Sequence, residues 1–509
     1  MSFISLTFAL FLPVVFLVYW LALGRSFKAQ NVFLLAASYV FYGWWDWRFL
    51  GLIALTTLLA FGCALPQTHR KAWTTLSVVV NLLILCGFKY FDFFGDNLRR
   101  LFAVFGYQLD WFTVEVLLPV GISFYTFQAI SYSVDVYKGR IAPTRDIVAF
   151  GVFISFFPQL VAGPIERSTQ LLPQFLTPRR WDYAGAVEGA RLILWGLFKK
   201  CVVADGVAFW VDIAYNSHAG NVGLHNGFWC MVGAVGFALQ IYGDFSGYSD
   251  IAKGSAKLLG IRLMDNFLYP FFSRNAIELW HRWHRSLMQW FTEYVYIPLG
   301  GSRRGNKYAH VMAVFLLSGL WHGADWSFVA WGAVCGVWYV VAAMLGARKY
   351  RPVTDAPASR RDMVKVAFTF FMFVMVFIFF RAESVGKALD FYKSLWLAGP
   401  VTLALMLGAG YVLARTTFRV DRVLGALCVA LAVGCVGAPK VLIPDLLAFL
   451  GYVFGAVVLW VEWRSRSRSF ALEVMPRRRW VRLAVYSLLY FFIATGALGT
   501  EGDFIYFQF

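Results

Sequence analysis

Apolar runs of about twenty residues recur along the whole chain, and no soluble fold has room to bury that many. The clearest lie near 4–23, 73–94, 114–134, 188–212, 227–243, 326–345, 364–381, 443–462 and 481–500. Each is close to the roughly 20 residues that a helix needs to cross the hydrocarbon layer of a bilayer. Shorter or interrupted runs near 31–45, 49–65, 147–162, 309–322, 386–412 and 423–438 are expected to include half-spans or re-entrant pieces. The best candidate is "SFFPQLVAGPIE" (155–166), with two prolines and a glycine; irregular backbone survives at membrane depth only inside protein or beside a wet cavity. Composition agrees. Hydrophobic residues make up 60% of the 509 positions and charged ones 15%, with a mean hydropathy of +0.63. Soluble domains are roughly 45–50% apolar and about 25% charged. The expected class is an all-α polytopic membrane protein. Its first run has no Lys or Arg ahead of it, so it is expected to stay as a first span rather than be cleaved as a signal.

A formal charge of +18 could point to nucleic acid, but in a membrane chain basic residues collect in cytoplasmic loops and set orientation. No nucleic-acid partner is expected. The strongest basic loops are 25–28, 69–71, 138–140, 302–307, 348–351 and 464–482. Four candidate spans separate the clusters at 348–361 and 464–482, so both fall on one side. Assigning that side to the cytoplasm places both termini in the periplasm; "RRLF" (99–102) does not fit this pattern. The seven cysteines, at 63, 86, 201, 230, 335, 428 and 435, form no C-x-x-C pair and are expected to be inert thiols. No internal repeat is present, which argues against a transporter built from matched halves.

Polar side chains inside spans are costly and therefore default to functional candidates. In "IELWHRWHRSLMQWFTEYVYIPLGG" (277–301), Ile277, Trp280, His284, Leu287, Phe291 and Tyr294 share one helical face, and Glu278, Arg282, Arg285 and Gln289 share the other. The spacing predicts one amphipathic helix along an interface or funnel, with His284 pointing inward and His281 near the boundary. His284 is either a core histidine bonded to a carbonyl or a functional one. Glu278 and His281 form E-x-x-H, but no second E-x-x-H exists and His281 diverges from His284 on the wheel, so no metal is expected. In "YGDFSGYSDIAKG" (242–254), Asp244, Ser246, Ser249 and Asp250 read either as caps and a tight turn ending a span or as the lining of a polar cavity. In 117–140, small residues allow close helix approach, and Gln128 is the amide that most needs a partner. The sharpest signal is "LLSGLWHGADWSF" (316–328), where Trp321 and Gly323 flank His322. A neutral imidazole among apolar neighbours is poised to accept a proton from a hydroxyl. No G-x-S-x-G occurs, so direct transfer to a bound hydroxyl is more economical than a covalent enzyme intermediate.

Together "LLPVGISFYTFQAISY" (117–132), "FFPQLVAGPIER" (156–167), "DFSGYSDIAKG" (244–254), "DNFLYPFFSRNAIELWHRWHRSL" (265–287), "YVYIPLGGSRRG" (294–305), "GLWHGADWSFVAWG" (319–332) and "FIYFQF" (504–509) resemble the membrane-bound O-acyltransferase family. Within it the resemblance is to the branch that acetylates alginate and peptidoglycan. It implies a single membrane-embedded domain over 1–509, with core motifs at 117–332 and C-terminal helices at 364–509. The implied shape is a helical disc with re-entrant and interfacial helices around a central funnel. By position, His322 is similar to the family's catalytic histidine and His284 to its second histidine. Asp244, Ser246, Gln128 and Trp321 are expected to line the chamber or bind the donor. His281 stands where the family usually has arginine, and no role is assigned to it.

The resemblance further implies a bacterial inner-membrane enzyme that holds no bound cofactor. Its donor would be acetyl-CoA or an acyl carrier, with phosphates drawn by the basic loops at 302–307 and 348–351. Its acceptor side would serve an exported polysaccharide such as alginate, through a periplasmic partner of the serine-hydrolase-like (SGNH) kind. Two other readings stand at this point: D-alanyl transfer to teichoic acid from a carrier protein, and a non-enzymatic polysaccharide channel.

Overall fold

A computed structural model describes residues 1–66, 68–108, 118–161, 163–216, 227–347, 359–397, 443–473 and 475–497. The basic run 348–351, the apolar run 423–438, the second half of 386–412, Cys428, Cys435 and the terminal 504–509 lie outside them. Every regular element among the described residues is helical. Four helices are long and apolar enough to cross a membrane, by length and composition: Trp47–Ala64, Arg70–Lys89, Trp326–Met344 and Arg360–Arg381. The described residues fall into two compact units, one of 1–193 with 251–264, the other of 194–250 with the chain from 265 onward.

In the first unit the helix over 147–160 is interrupted within 155–166. Helix Ile147–Ser155 starts on an Asp146 cap and stops at Phe156, whose φ of −52° and ψ of 108° leave the helical region. One further turn, Phe157–Leu160, follows with Pro158 at its start, where the missing N–H costs no helix bond. Residues 155–160 and 163–166 are buried, so protein surrounds the backbone there. Glu166 accepts the Met264 N–H at 2.5 Å. Gln128 also belongs here: its amide donates to the Phe153 carbonyl at 3.3 Å.

The second unit departs from the expected elements in two places. The run 227–243 does not end in a turn at 242–254; one helix, Gly227–Leu258, carries straight through the polar motif. Its glycines serve close approach instead. A Cβ on Gly243 would stand 2.9 Å from the Lys199 carbonyl oxygen, and one on Gly247 would stand 2.7 Å from that of Gly196. Two backbones therefore touch, and a side chain there would force them apart.

The second departure is at 277–301, which is not one helix. Asn275 caps Ala276–Arg282, Trp283 is extended, and His284 takes a left-handed φ of 41° before a new helix, Arg285–Phe291, and a wide turn, Thr292–Tyr296. Side-chain periodicity survives such a break because it counts positions, not backbone angles. Nor is the polar face wet throughout: Glu278 and Arg282 are buried and paired with each other, and Arg274 reaches Glu278 at 3.0 Å. Charges three or four residues apart on a helix can neutralise one another, which the pattern alone reads as a solvated face.

Candidate active site

The site is built on a hairpin of two helices, Lys307–His322 and Trp326–Met344. Gly323 ends the first in extended backbone, and Asp325 caps the second by accepting the Ser327 N–H at 2.7 Å. The helices meet backbone to backbone. A Cβ on Gly319 would sit 2.3 Å from the Phe328 carbonyl oxygen, and one on Gly332 would sit 2.4 Å from that of Phe315. His322 is the last helical residue, one turn beyond Gly319, so this contact fixes where its ring stands. His322 is 5% exposed, and its ring is walled by aromatics, with centroids 4.8 Å from Trp321, 5.1 Å from Trp331 and 5.2 Å from Phe380.

His284 faces it. The two imidazole centroids are 6.4 Å apart, and Trp321 stands beside both, 5.9 Å from His284. The His284 ring rests edge-to-face against Phe245 at 4.7 Å, the residue between Asp244 and Ser246. Left-handed backbone in a non-glycine residue costs on the order of 1–3 kcal/mol and persists where the surroundings over-determine it, commonly at functional sites. Both His284 ring nitrogens are buried without a hydrogen-bond partner among the described residues. A buried polar group left so costs about 1–3 kcal/mol. Among the described residues no carbonyl bonds the His284 ring, unlike the core histidine that the sequence left open.

Behind this pair lies a layer of buried charge that sequence reasoning missed. The run 188–212 is continuous helix, but its middle, Phe198–Ala204, widens to π geometry and carries Lys199 and Lys200. Such widened turns are rare and frequent at functional sites. The Lys200 ammonium lies 2.8 Å from both Asp205 and Asp244; that of Lys199 lies 2.9 Å from Ser246 and 2.8 Å from Asp250. The Tyr242 hydroxyl donates to the Glu462 carboxylate at 2.9 Å. Asn266 bridges Ser249 at 2.9 Å and Ser286 at 2.5 Å. Asp244 and Ser246 thus serve ion pairs and hydrogen bonds that hold Phe245 in place. The signal was available: two adjacent lysines inside an apolar run cannot be solvated there and need carboxylates nearby.

Of the other sequence candidates, Gln128 belongs to the first unit and bonds to Phe153. His281 is exposed, its Nδ1 2.8 Å from the Ile277 carbonyl. No group of three His, Cys, Asp or Glu residues among the described ones is placed to hold a metal ion.

Two facing imidazoles walled by aromatic rings, in a chain of this hydropathy whose described elements are all helical, are suited to group transfer on a substrate taken up within the membrane. That class has a family here. Residues 144–382 match MBOAT, the membrane-bound O-acyltransferase family. Over 402 residues the chain is 39% identical to the probable alginate O-acetylase AlgI of Pseudomonas putida, covering 77% of this chain and 79% of that protein. Over 422 residues it is 31% identical to the peptidoglycan O-acetyltransferase of Helicobacter pylori, covering 76% and 77%. The match to the teichoic acid D-alanyltransferase of Bacillus subtilis is 27% over 231 residues, covering 42% and 56%. The chain belongs to the membrane-bound O-acyltransferase family and is an acyltransferase.

Proposed function

We propose that this protein is a membrane-bound O-acetyltransferase that takes an acetyl group from acetyl-CoA on the cytoplasmic side and passes it across the inner membrane for O-acetylation of an exported polysaccharide such as alginate. The observation that carries this reading is the facing pair His284 and His322, with both His284 nitrogens buried and without a hydrogen-bond partner among the described residues. The longer match to relatives named for acetyl transfer, against the shorter one to a D-alanyltransferase, favours acetyl as the group moved.

In the proposed reaction the acceptor hydroxyl sits against His322, which takes its proton as the oxygen attacks the thioester carbonyl. The new C–O bond forms, the C–S bond breaks, and the proton passes from the imidazolium to the leaving thiolate. His284 donates a hydrogen bond to the donor carbonyl oxygen as negative charge builds there. The Trp321, Trp331 and Phe380 walls exclude water that would hydrolyse the thioester. The exposed loop 302–307, with Arg303, Arg304 and Lys307, offers charge for the donor's phosphates. No resident cofactor is needed. On the periplasmic side the acceptor is the polymer or a serine-hydrolase-like partner that hands the acetyl group on.

The test uses membranes containing the full chain and labelled acetyl-CoA. His284→Ala is expected to lower acetyl turnover about tenfold or more, because one developing-charge contact is lost. His281→Arg, exposed and outside the pair, is expected to leave it unchanged. Wild-type turnover in His284→Ala would remove the role given to the facing pair. Orientation is a separate expectation from the basic loops: a reporter fused after Arg468 reads cytoplasm and one after Phe509 reads periplasm. A periplasmic signal at Arg468 would invert the arrangement.

A further inference from the structure

The geometry points to Asn266 as the residue that positions His284, through a hydrogen-bonded clamp on the backbone break that carries it; this rests on the catalytic reading of His284 given above. Because no described residue bonds to the His284 ring, its aim is set only by the backbone beneath it and the faces packed against it. The backbone is the unusual part, a histidine at φ 41° and ψ 53° between two short helices.

The segment from Asn266 to Leu268 fastens both sides of that break. The Leu268 N–H donates to the Arg282 carbonyl at 3.0 Å, just before it, and the Arg285 N–H donates to the Asn266 carbonyl at 2.8 Å, just after it. The Asn266 side chain adds a second level. Its Oδ1 accepts the Ser286 hydroxyl at 2.5 Å, and its Nδ2 donates to the Ser249 hydroxyl at 2.9 Å. Ser249 lies one turn beyond Phe245, the ring against which His284 rests. One amide therefore ties the start of the helix after His284 to the helix that supplies its backstop. Asn266, Ser249 and Ser286 are all buried, so water cannot replace either bond. A carboxamide supplies both donor and acceptor from a single planar group; ionised aspartate offers no donor and leucine neither.

If Asn266 acts through His284, the two residues must be coupled. Acetyl-CoA turnover is measured in membranes at matched protein level, with alginate supplied as the acceptor probe. Asn266→Ala is expected to lower kcat about ten- to a hundredfold with KM for acetyl-CoA nearly unchanged, since misplacing a group by about 1 Å costs up to about a hundredfold. In a His284→Ala background, adding Asn266→Ala is expected to change kcat less than about twofold. Losses that multiply in the double variant would overturn the proposal, and so would a wild-type kcat in Asn266→Ala. If Asn266→Ala does not accumulate as folded protein, Ser286→Ala, which removes one arm of the clamp, enters the same cycle and decides by the same criterion. Failure of the underlying reading looks different: His284→Ala alone would then turn over acetyl-CoA at the wild-type rate.

Discussion

Both His322→Ala and His322→Gln are expected to abolish acetyl transfer in membranes where the variant protein is present at the wild-type level. Alanine removes the ring; glutamine keeps a polar planar group of similar reach but cannot take up a proton at neutral pH. A positioned general base contributes about a hundred- to ten-thousandfold, so the residual rate should lie at least about a hundredfold below wild type. The ring sits at the end of a helix pinned by the Gly319 and Gly332 contact and is surrounded by Trp321, Trp331 and Phe380. Glutamine fits that space with little strain on the fold, which separates loss of chemistry from loss of structure. The measurement is acetyl content of the secreted polymer together with turnover of labelled donor. Wild-type turnover in His322→Gln would make this histidine structural and end its assignment as the base.

The second large effect concerns stability. Lys200 is buried and lies 2.8 Å from both Asp205 and Asp244. Lys200→Met matches the side chain's volume and leaves two buried carboxylates without that counter-charge. Removing one partner from a buried ion pair typically costs about 3–5 kcal/mol, against a total stability of about 5–15 kcal/mol for a typical fold. The folded fraction surviving detergent extraction should fall sharply, with an earlier thermal transition. Adding Asp205→Asn and Asp244→Asn to Lys200→Met should recover much of it, because the triple variant contains neither the ammonium nor those two charges. An unshifted transition in Lys200→Met would show that this network does not hold the unit together.

The membrane class was legible from the apolar runs alone, and His322 stood out because a lone imidazole in such a run has no cheap explanation. What stayed hidden was set by backbone and by distant partners. The break at Trp283–His284 leaves the hydrophobic spacing of 277–301 intact, so a wheel places Ile277 and Leu287 on one face whether or not the helix continues. The glycines of 242–254 signal a turn and close packing equally well, and only the neighbouring carbonyls at Lys199 and Gly196 decide between them. Glu278 and Arg282 read as a wet face because nothing local distinguishes a charge pair that meets itself from one that meets water. Lys199 and Lys200 were the readable omission, since two ammonium groups in an apolar stretch announce carboxylates elsewhere in the chain.

The bond from Tyr242 to Glu462 bears on how short this chain could be made. The helix Ile443–Arg464, which carries Glu462, also donates the Tyr452 hydroxyl to the Val232 carbonyl at 3.0 Å. Gly451 lies so close to Gly206 that a Cβ would stand 2.6 Å from its carbonyl carbon. The stretch recognised by family, 144–382, stops well before these residues, yet its central helix is completed by them. Expressed alone it would expose the flank of Gly227–Leu258 that Tyr452 and Glu462 cover and strand the Tyr242 hydroxyl inside. The boundaries of the recognisable motif and of the smallest fragment that can fold are therefore different, and a truncation series should find the second on the far side of Glu462.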